Sequence, residues 1–319
     1  MNDLVVVLLL NYNQNDYTIK CLESLLKSNY EDYKIILVDN GSTKENVAEL
    51  EENIPIDKKL IFKKLDPNIG FAMGYNYALE EGRKLNPRYF LLMNNDTIID
   101  KSAIVELVKT CQQYNDKARV IGKVYHYDDP KRLQIVGNQY VDKKMLMYKT
   151  MGSDEVDNGQ FDKVEERDMV DDVYTLHPAE LYDRIGGYSP YFWINGVEKD
   201  LSLRAIKEGY KLVYTPEAKL WHKGSVSFGG RKMNPKIAYY SIQSKLILRY
   251  LHLSKSSFLI FYLNVFKSVL GTLFKSIYYK MFKGKDITKY ARAKLGGFIY
   301  FNKWLFKRNM NNGHNPYSN

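Results

Sequence analysis

The chain has 319 residues, of which 45% are hydrophobic and 26% charged, and its formal net charge is +10. Such a length and composition exclude wholesale disorder and allow one large domain or a domain with an appendage. Cys21 and Cys111 follow no metal-binding pattern and predict a reduced, cytoplasmic setting. The N-terminal residues lack the basic region and the cleavage site of a signal peptide, so none is expected.

The first hundred residues alternate strands with helices. Apolar runs predict strands at 5–10, 34–38, 60–64 and 89–93, and helical spacing of apolar residues predicts helices at 17–27, 46–52 and 74–83. This alternation predicts an α/β fold with a doubly wound, mostly parallel, Rossmann-like sheet. Right-handed crossovers would bring the carboxyl ends of the four strands to the same edge.

The pattern is looser after residue 100. We predict a helix at 102–114, a strand at 120–125, a helix near 200–208, and short strands at 212–215 and 218–221. The segment 152–172 is acidic and poor in apolar residues, which predicts a mobile surface loop or lid.

The C-terminal region differs from the rest in charge. Residues 231–319 contain 17 basic residues and one acid, Asp286, whereas residues 1–230 have a net charge of −6. We therefore predict two domains, an α/β domain at 1–230 and a basic helical extension at 231–319.

Within this extension, residues 257–281 carry aromatic and aliphatic side chains at helical spacing, with lysines between them. The longest uncharged stretch, 256–266, is far shorter than the ~20 residues that span a bilayer. An amphipathic helix on an anionic membrane surface is the favoured interpretation. An oligomer interface is compatible with it, and nucleic-acid binding is disfavoured because no recognised motif is present.

Small polar residues follow the predicted strands of the first hundred residues. A buried parallel strand presents such residues at the ligand crevice of an open α/β sheet. Asp39 can accept a hydrogen bond from a pyrimidine imide, and Asp96 can hold a divalent cation beside nucleotide phosphates, unless it caps the next helix. The predicted nucleotide-binding residues are Asn11, Asn13, Asp39, Gly41, Ser42, Asn68, Gly70, Asn76, Asn94 and Asn95.

Two later segments also carry chemistry. His222 could complete a Mn²⁺ or Mg²⁺ shell with Asp96, and imidazole is tolerated better by Mn²⁺. Glu198 and Asp200 lie at the start of the predicted helix near 200–208, where Asp200 and Arg204 have the spacing of a helical ion pair.

These segments together resemble family 2 glycosyltransferases, the inverting GT-A enzymes, and within them the rhamnosyltransferase-like branch. The resemblance covers roughly residues 4–228. It is carried by Leu10-Asn11-Tyr12-Asn13, Val38-Asp39-Asn40-Gly41-Ser42, Asn68-Ile69-Gly70-Phe71-Ala72, Leu92-Met93-Asn94-Asn95-Asp96-Thr97, Ile185-Gly186-Gly187-Tyr188, Asp200-Leu201-Ser202-Leu203-Arg204 and Trp221-His222-Lys223-Gly224-Ser225.

The resemblance implies a GT-A fold and a role for each matching residue. It assigns Asp39 to the uracil or thymine, and Asp96 with His222 to the metal ion. Glu198 falls on the general-base position, with Asp200 as the second candidate, although Val197-Glu198-Lys199-Asp200 departs from the usual Glu-Asp-x-Asp. Asp171-Asp172 replaces a small Gly-Ala pair, and we expect Asp172 and Trp193 near the acceptor.

The resemblance thus implies a metal-dependent, inverting glycosyltransferase. The expected reaction moves a sugar, rhamnose or galactose by preference, from a UDP or dTDP donor to a surface polysaccharide or lipid-linked oligosaccharide. The expected location is the inner face of the cell membrane. The alternatives are a nucleotide-sugar-binding scaffold with a degraded site and an enzyme that acts on a protein-linked glycan. A nucleotidyltransferase would usually carry a Gly-rich basic signature near the N-terminus, which this chain lacks.

Overall fold

The computed structural model describes residues 3–224 and 233–308, and these residues form two compact units. The first unit contains the residues up to 140, with 148–189 and 198–224; the second contains 141–147, 190–197 and the described C-terminal region. The predicted boundary between residues 230 and 231 lies outside the described residues, as does Ser225 of the 221–225 motif.

Strands dominate the first unit. In the described chain they are β1 (Val5–Asn11), β2 (Tyr33–Asn40), β3 (Leu60–Leu65), β4 (Tyr89–Met93), β5 (Thr97–Ile99), β6 (Ala118–His126), β7 (Leu133–Ile135), β8 (Asn138–Asp142), β9 (Met147–Thr150), β10 (Glu165–Glu166), β11 (Tyr174–Pro178) and β12 (Lys211–His222). Eight of them follow the order β10-β12-β6-β11-β4-β1-β2-β3, with β5 beside β12 and β7 beside β6, whereas β8 and β9 pair separately.

Helices cover the sheet and form the second unit. The described helices are α1 (Asn15–Leu25), α2 (Lys44–Asn53), α3 (Phe71–Arg83), α4 (Ala103–Gln113), α5 (Ala179–Ile185), α6 (Val197–Lys207), α7 (Pro235–His252), α8 (Lys255–Phe282) and α9 (Thr288–Lys307). A short 3₁₀ turn covers Lys143–Met145.

The predicted parallel arrangement is confirmed for the N-terminal half of the sheet. Strand β1 pairs in parallel with β2 and β4, and β2 pairs in parallel with β3. The antiparallel strand β11 lies between β4 and β6 and makes the sheet mixed. Because Asn11 is opposite Asp39 in the β1–β2 register, the polar residues that follow these strands meet at one edge.

The core of the first unit explains why the strands read as continuous apolar runs. Every residue of β4 is buried, and β1 is buried from Val5 to Leu9 because helices cover both faces of a parallel sheet. Leu22 and Leu25 of α1 pack into this core, each contributing about 2 kcal/mol by leaving water. The apolar spacing that predicted α1 therefore reflects real packing.

Strand β6 carries two buried cations on one face. Arg119 is 0% exposed and Lys123 is 2% exposed, and their spacing of four puts both side chains on the same side of the strand. Lys123 binds Asp157 at 2.9 Å and Asp162 at 2.5 Å, and the Tyr125 hydroxyl donates to Asp157 at 2.6 Å. These contacts hold the acidic segment that the sequence predicts as a mobile loop, because its charges neutralise the buried lysine.

Two further elements differ from the prediction. The strands predicted at 212–215 and 218–221 form one strand, β12, whose pairing with β6 shifts register between Tyr214 and Lys219. The helix predicted at 257–281 extends over Lys255–Phe282, and the Ser254 side chain caps it by accepting from the Ser257 amide at 3.2 Å.

The second unit is built from helices α7, α8 and α9. Helix α9 approaches α7 closely at Gly297, where a Cβ atom would lie 2.4 Å from the Tyr239 carbonyl oxygen. Phe301 and Trp304 of α9 are buried, whereas most of the apolar side chains of α8 are exposed. By length and composition α8 could cross a membrane, although the uncharged stretch within it is short.

Candidate functional site

A chain of hydrogen bonds joins the carboxyl ends of β1, β2 and β4. The Asn95 amide donates to Thr18 Oγ1 at 2.7 Å, and Thr18 Oγ1 donates to Asn11 Oδ1 at 2.8 Å. The Asn11 amide in turn donates to Asp39 Oδ2 at 2.8 Å. The structure therefore brings together three of the predicted site residues, with Thr18 of α1 as a link that the sequence did not suggest.

Asp39 lies at the buried end of this chain. Its carboxylate accepts from the Ser42 amide at 2.9 Å and from Ser42 Oγ at 2.6 Å, in addition to the bond from Asn11. Ser42 Oγ also accepts from the backbone amide of Asn13 at 2.8 Å. A carboxylate has about four acceptor positions, so one position of Asp39, which is 0% exposed, has no donor among the described contacts.

The loops after β2 and β3 lie against each other. Asn40 donates to the Gly70 carbonyl at 3.1 Å and accepts from the Ile69 amide at 3.2 Å, while Asn68 Oδ1 accepts from the Gly70 amide at 2.8 Å. Gly41 has φ +77°, and a Cβ there would lie 2.2 Å from the Asn68 nitrogen. Glycine at this position is required by both its conformation and the close approach of the second loop.

Replacing Gly41 tests how the site depends on this approach. We expect Gly41→Ala to lower the free energy of unfolding by about 3 kcal/mol, because strain in the left-handed region adds to a backbone collision. Gly209→Ala is the matched control, since Gly209 has φ +84° with nothing within 4 Å of its Cβ position. It should cost only about 1 kcal/mol in denaturant unfolding. Equal losses in the two variants would contradict the collision with Asn68.

The pairing of β5 with β12 brings Asp96 and His222 together. Thr97, directly after Asp96, is opposite His222 in this antiparallel register. Asp96 Oδ1 lies 3.2 Å from His222 Nε2, and Asp96 Oδ2 accepts from the Gly224 amide at 3.1 Å. Strand β5 also separates Asp96 from α4, so Asp96 does not cap that helix.

The tautomer of His222 follows from its second ring nitrogen. Nδ1 lies 2.5 Å from Gln134 Oε1, an atom that only accepts, so Nδ1 carries the proton. Nε2 faces both Asp96 Oδ1 and the Asn94 amide nitrogen, which is 3.4 Å away. Burial opposes ionisation of Asp96, but His222 and the Gly224 amide together hold the pKa of this carboxyl below its ordinary value.

The Asp96–His222 pair fits a divalent cation. Two acceptor atoms 3.2 Å apart need a proton or a cation between them, and about 3 Å is the separation of neighbouring ligands in an octahedral shell. A His222 ring that donates through Nδ1 has the supported geometry of a metal ligand. In the described ranges, no three His, Cys, Asp or Glu residues come together, so a bound phosphate would have to complete the shell.

Glu198 lies in the first turn of α6 with a partly exposed side chain. Burial raises the pKa of its carboxyl above the ordinary value; Asp171 and Asp172 act in the same direction, and Lys199, with its Nζ 3.6 Å from Oε1, opposes them. A carboxylate with a raised pKa is a stronger base than an exposed one and is suited to accept a proton from a hydroxyl.

Asp200, the second candidate base, is in an ion pair. Its Oδ2 accepts from Arg204 Nε at 2.8 Å, as the helical spacing predicts. Arg204 also donates to the Ile185 and Gly187 carbonyls at 2.7 and 2.8 Å. The carboxylate of Asp200 is 2% exposed and therefore stabilises the contact between α6 and this turn.

The structure surrounds Asp172 with partners. One oxygen of its carboxylate accepts from the buried guanidinium of Arg119, and the other accepts from the Tyr188 hydroxyl. The Asn76 side chain holds the backbone of Tyr188 through two hydrogen bonds of 2.8 Å. Asn76 and Asp172, predicted for the donor and the acceptor, are thus parts of one connected network.

Three further residues concern the candidate site: Trp193, which the sequence analysis assigns to the acceptor, and Tyr12 and Arg119, which it does not assign. Trp193 is 6% exposed and stacks on Tyr240 within the second unit, with ring centroids 6.4 Å apart. Tyr12 is 46% exposed beside Asn11 and was not singled out from the sequence, although an exposed aromatic ring after a strand is a usable signal. Arg119 was also missed. The signal for it was an arginine beside an apolar strand, together with the acidic pair Asp171-Asp172, which needs a positively charged partner if it is buried.

Two curated relatives match about two fifths of this chain each. A Haemophilus influenzae protein described as an uncharacterized glycosyltransferase is 29% identical over 137 residues, which is 43% of this chain and 41% of its own. A teichoic acid poly(glycerol phosphate) polymerase of Staphylococcus epidermidis is 30% identical over 40% of this chain and 17% of its own. The chain therefore spans less than half the length of these two relatives.

A solved structure and a family profile complete the comparison. The crystal structure of GalNAc-T7 with UDP, GalNAc and Mn²⁺ has a TM-score of 0.57 at 11% identity, over 95% of this chain and 56% of the other, which supports the GT-A fold alone. The profile described as Glycosyl transferase family 2 matches residues 6–168, about half of the chain. The chain belongs to glycosyl transferase family 2, and the predicted GT-A type α/β fold is confirmed.

Proposed function

We propose that this glycosyltransferase moves one sugar from a UDP or dTDP donor to a hydroxyl of a glycan, with inversion at the anomeric carbon. The observation that carries the proposal is the Asp96–His222 pair, which faces the hydrogen-bonded ends of β1, β2 and β4 in the first unit. It combines a place for a cation with the polar edge where an open α/β sheet binds its ligand.

The nucleotide would occupy the edge formed by β1 and β2. Asp39 has an acceptor position left for the imide N–H of uracil or thymine, which cytosine lacks. The exposed ring of Tyr12 would stack on the base, and stacking of this kind contributes about 1–3 kcal/mol in proteins that bind bases. UDP in the related GalNAc-T7 structure supports this choice of nucleotide.

Asp96 and His222 would hold Mn²⁺ or Mg²⁺, with Mn²⁺ favoured by the imidazole ligand. The bound ion would offset the negative charge of the departing nucleoside diphosphate. Mn²⁺ in the GalNAc-T7 structure supports a divalent ion in this fold. Gln134 would keep the lone pair of His222 Nε2 directed at the ion by accepting a hydrogen bond from Nδ1–H.

Glu198 would act as the general base. Its raised pKa suits it to take the proton of an acceptor hydroxyl as that oxygen attacks the anomeric carbon from the face opposite the leaving group. A single displacement of this kind inverts the configuration, through a transition state that resembles an oxocarbenium ion. Asp200 is the less suitable base because its carboxylate is bound to Arg204.

The acceptor is proposed to be a surface polysaccharide or a lipid-linked oligosaccharide, and rhamnose or galactose remains the favoured donor sugar. The relative named as a teichoic acid polymerase supports a cell-surface polymer as the acceptor class. The proposal is tested by incubating the protein with UDP- and dTDP-sugars, Mn²⁺ and glycan acceptors of the polysaccharide and lipid-linked classes, and by measuring release of the nucleoside diphosphate. Release from one donor supports the enzyme, and release from none, with nucleotide still bound, favours a binding scaffold.

We also propose that the second unit binds an anionic membrane surface. Along α8, exposed apolar side chains recur every three or four residues and form one stripe, made of Leu259, Leu263, Phe266, Leu270, Phe274, Ile277 and Met281. The adjacent side of the helix packs against α9, with Val269 buried and with the ring of Phe266, at the border of the stripe, 5.6 Å from the ring of Phe298. A helix with one apolar side packed on protein and another apolar side exposed is suited to lie in the plane of the membrane.

A cavity of about 300 Å³ between α8 and α9 adds to this proposal. Its lining includes Ile277 and Met281 of the stripe together with the basic side chains of Lys280 and Arg292. Apolar and cationic groups in one recess suit the phosphate and the upper acyl chain of an anionic lipid. Hydrogen bonds with Thr288 lower the pKa of the nearby Asp286 carboxyl, and the positive charges of Lys280 and Arg292 lower it further.

The stripe gives a prediction for membrane binding. The double variant Leu263→Gln, Phe274→Gln should bind vesicles that contain phosphatidylglycerol at least ten-fold more weakly. The reason is that burying these two apolar side chains in the membrane would contribute about 3 kcal/mol or more. Ile56→Gln is the control, since Ile56 is fully exposed in the first unit. Cosedimentation with these vesicles measures the change. Equal binding of the wild type and the double variant would contradict the proposal.

A further inference from the structure

Arg119 makes contacts in three directions from the interior of the first unit. It is 0% exposed, and its guanidinium donates to Asp172, to Ser202 Oγ, to the Glu198 carbonyl at 3.4 Å and to His177 Nδ1 at 3.2 Å. Ser202 also donates to the Glu198 carbonyl at 2.7 Å, so both residues hold the first turn of α6. Burial and the neighbouring Arg119 keep the pKa of His177 well below its usual range, so its ring stays neutral.

The same contacts extend to the donor side of the unit. Asp172, which pairs with Arg119, accepts from the Tyr188 hydroxyl, and the Tyr188 backbone is bound by Asn76 of α3. Helix α3 begins directly after Gly70, in the loop next to Gly41. Arg119 therefore lies at the centre of a network that joins the turn carrying Glu198 to the helix that follows the nucleotide loop.

We propose that Arg119 is a positioning residue for Glu198: it fixes the first turn of α6 and cancels the charge of Asp172 next to the Glu198 carboxylate. This role rests on the proposed function only in that it treats Glu198 as the base. Asp171 and Asp172 already raise the pKa of Glu198, and without a cation beside Asp172 a further rise would leave less of the ionised form that acts as the base.

The direction of the electrostatic effect can be stated for each charged neighbour. Lys199 favours the ionised form of Glu198, while Asp171, bound by Asn138, and Asp172 oppose it. Loss of Arg119 would leave Asp172 uncompensated and raise the pKa of Glu198 further. Loss of the Asp172 charge, with Arg119 present, would lower that pKa. If Arg119 only stabilised the fold, loss of Arg119 and loss of the Asp172 charge would not shift the pKa of Glu198 in opposite directions.

The test is a titration of the Glu198 carboxyl by NMR, with ¹³C-labelled glutamate in the full-length protein. The signal of Glu198 is identified by its loss in Glu198→Gln. Arg119→Met is expected to raise the midpoint by about one pH unit, and Asp172→Asn is expected to lower it by a similar amount. Arg119→Lys keeps the charge and should leave the midpoint near that of the wild type.

A matched control separates this effect from general damage to the core. Lys123→Met removes another buried cation of β6 that pairs with two acids but contacts neither Glu198 nor Asp172 among the described contacts. It should lower stability without moving the Glu198 midpoint. Shifts in the same direction in Arg119→Met and Asp172→Asn, or no shift in either, would overturn the proposal.

The remaining outcomes are also decisive. If Arg119→Met does not fold, Asp172→Asn decides alone, because a lowered midpoint supports the proposal and an unchanged one overturns it. The titration uses no substrate, so it stands apart from the proposed function. Turnover that persists in Glu198→Gln would refute Glu198 as the base while leaving the result on Arg119 intact.

Discussion

Glu198→Gln is expected to lower donor turnover by about 10²–10⁴-fold. The affinity for the nucleotide should stay within roughly two-fold of the wild type. The amide cannot accept the proton of the acceptor hydroxyl, whereas it occupies nearly the same volume as the carboxylate. Glu198 lies in α6, whereas the proposed nucleotide site is formed by the loops after β1 and β2. Release of nucleoside diphosphate measures turnover, and calorimetry with UDP measures binding.

Asp200→Asn is the comparison that identifies the base. The substitution removes the charge that binds Arg204 and should lower the free energy of unfolding by about 1–3 kcal/mol. Because Arg204 also holds the carbonyls of Ile185 and Gly187, some activity will be lost with stability. The acid limb of the pH profile should nevertheless stay in place. A large loss in Asp200→Asn, with turnover retained in Glu198→Gln, would assign the base to Asp200.

Asp96→Asn is expected to weaken Mn²⁺ binding by more than the roughly 10–100-fold that loss of a supporting residue costs. Asp96 would supply the anionic ligand of the proposed metal site, and its Oδ1 lies 3.2 Å from His222 Nε2. Without this charge, two neutral groups would face the ion and the diphosphate. Titration of Mn²⁺ in the presence of UDP, followed by paramagnetic relaxation of water protons, measures the affinity.

Asp100→Asn is the matched control for this prediction. Asp100 lies four residues after Asp96, and its carboxylate accepts from the amide and the hydroxyl of Ser102 at the start of α4. The variant undergoes the same chemical change without a contact to His222. It should bind Mn²⁺ and UDP as the wild type does. Unchanged Mn²⁺ affinity in Asp96→Asn would place the metal ion elsewhere.

The N-terminal half of the fold could be predicted because its signals are local. The strands are continuous apolar runs that stop at Asn11, Asp39 and Asn94, and a parallel sheet brings such ends together whatever the rest of the chain does. The helices between them show apolar residues at helical spacing. Pairing of β11 with β4 and β6 was not predictable in this way, because it joins segments distant in sequence.

The Asp96–His222 pair was expected from the family resemblance, and the structure supplies its physical cause. The two residues are 126 positions apart, and the register of β5 against β12 puts Thr97 opposite His222. No local pattern in the sequence encodes this register. Gln134, which determines the tautomer of His222, comes from a third segment and was missed for the same reason.

The buried cations of β6 show a different limit of sequence reasoning. Arg119 and Lys123 are buried, although lysine and arginine are almost never fully buried unless they are paired. Their partners, Asp172, Asp157 and Asp162, follow 34 to 53 residues later in a segment that reads as a mobile acidic loop. Neither the basic residues of β6 nor the acidic segment indicates a buried ion pair by itself, and the pairing becomes apparent only in the folded structure.

Thermal unfolding of the purified protein with UDP, dTDP, GDP and ADP, each with Mn²⁺ or with EDTA, tests the central claim most directly. A ligand at ~100 times its dissociation constant adds about 2.7 kcal/mol to stability, enough to raise the melting temperature by several degrees. We predict a rise with UDP or dTDP that EDTA abolishes. An unchanged melting temperature with all four nucleotides would contradict a donor site at Asp39, Asp96 and His222.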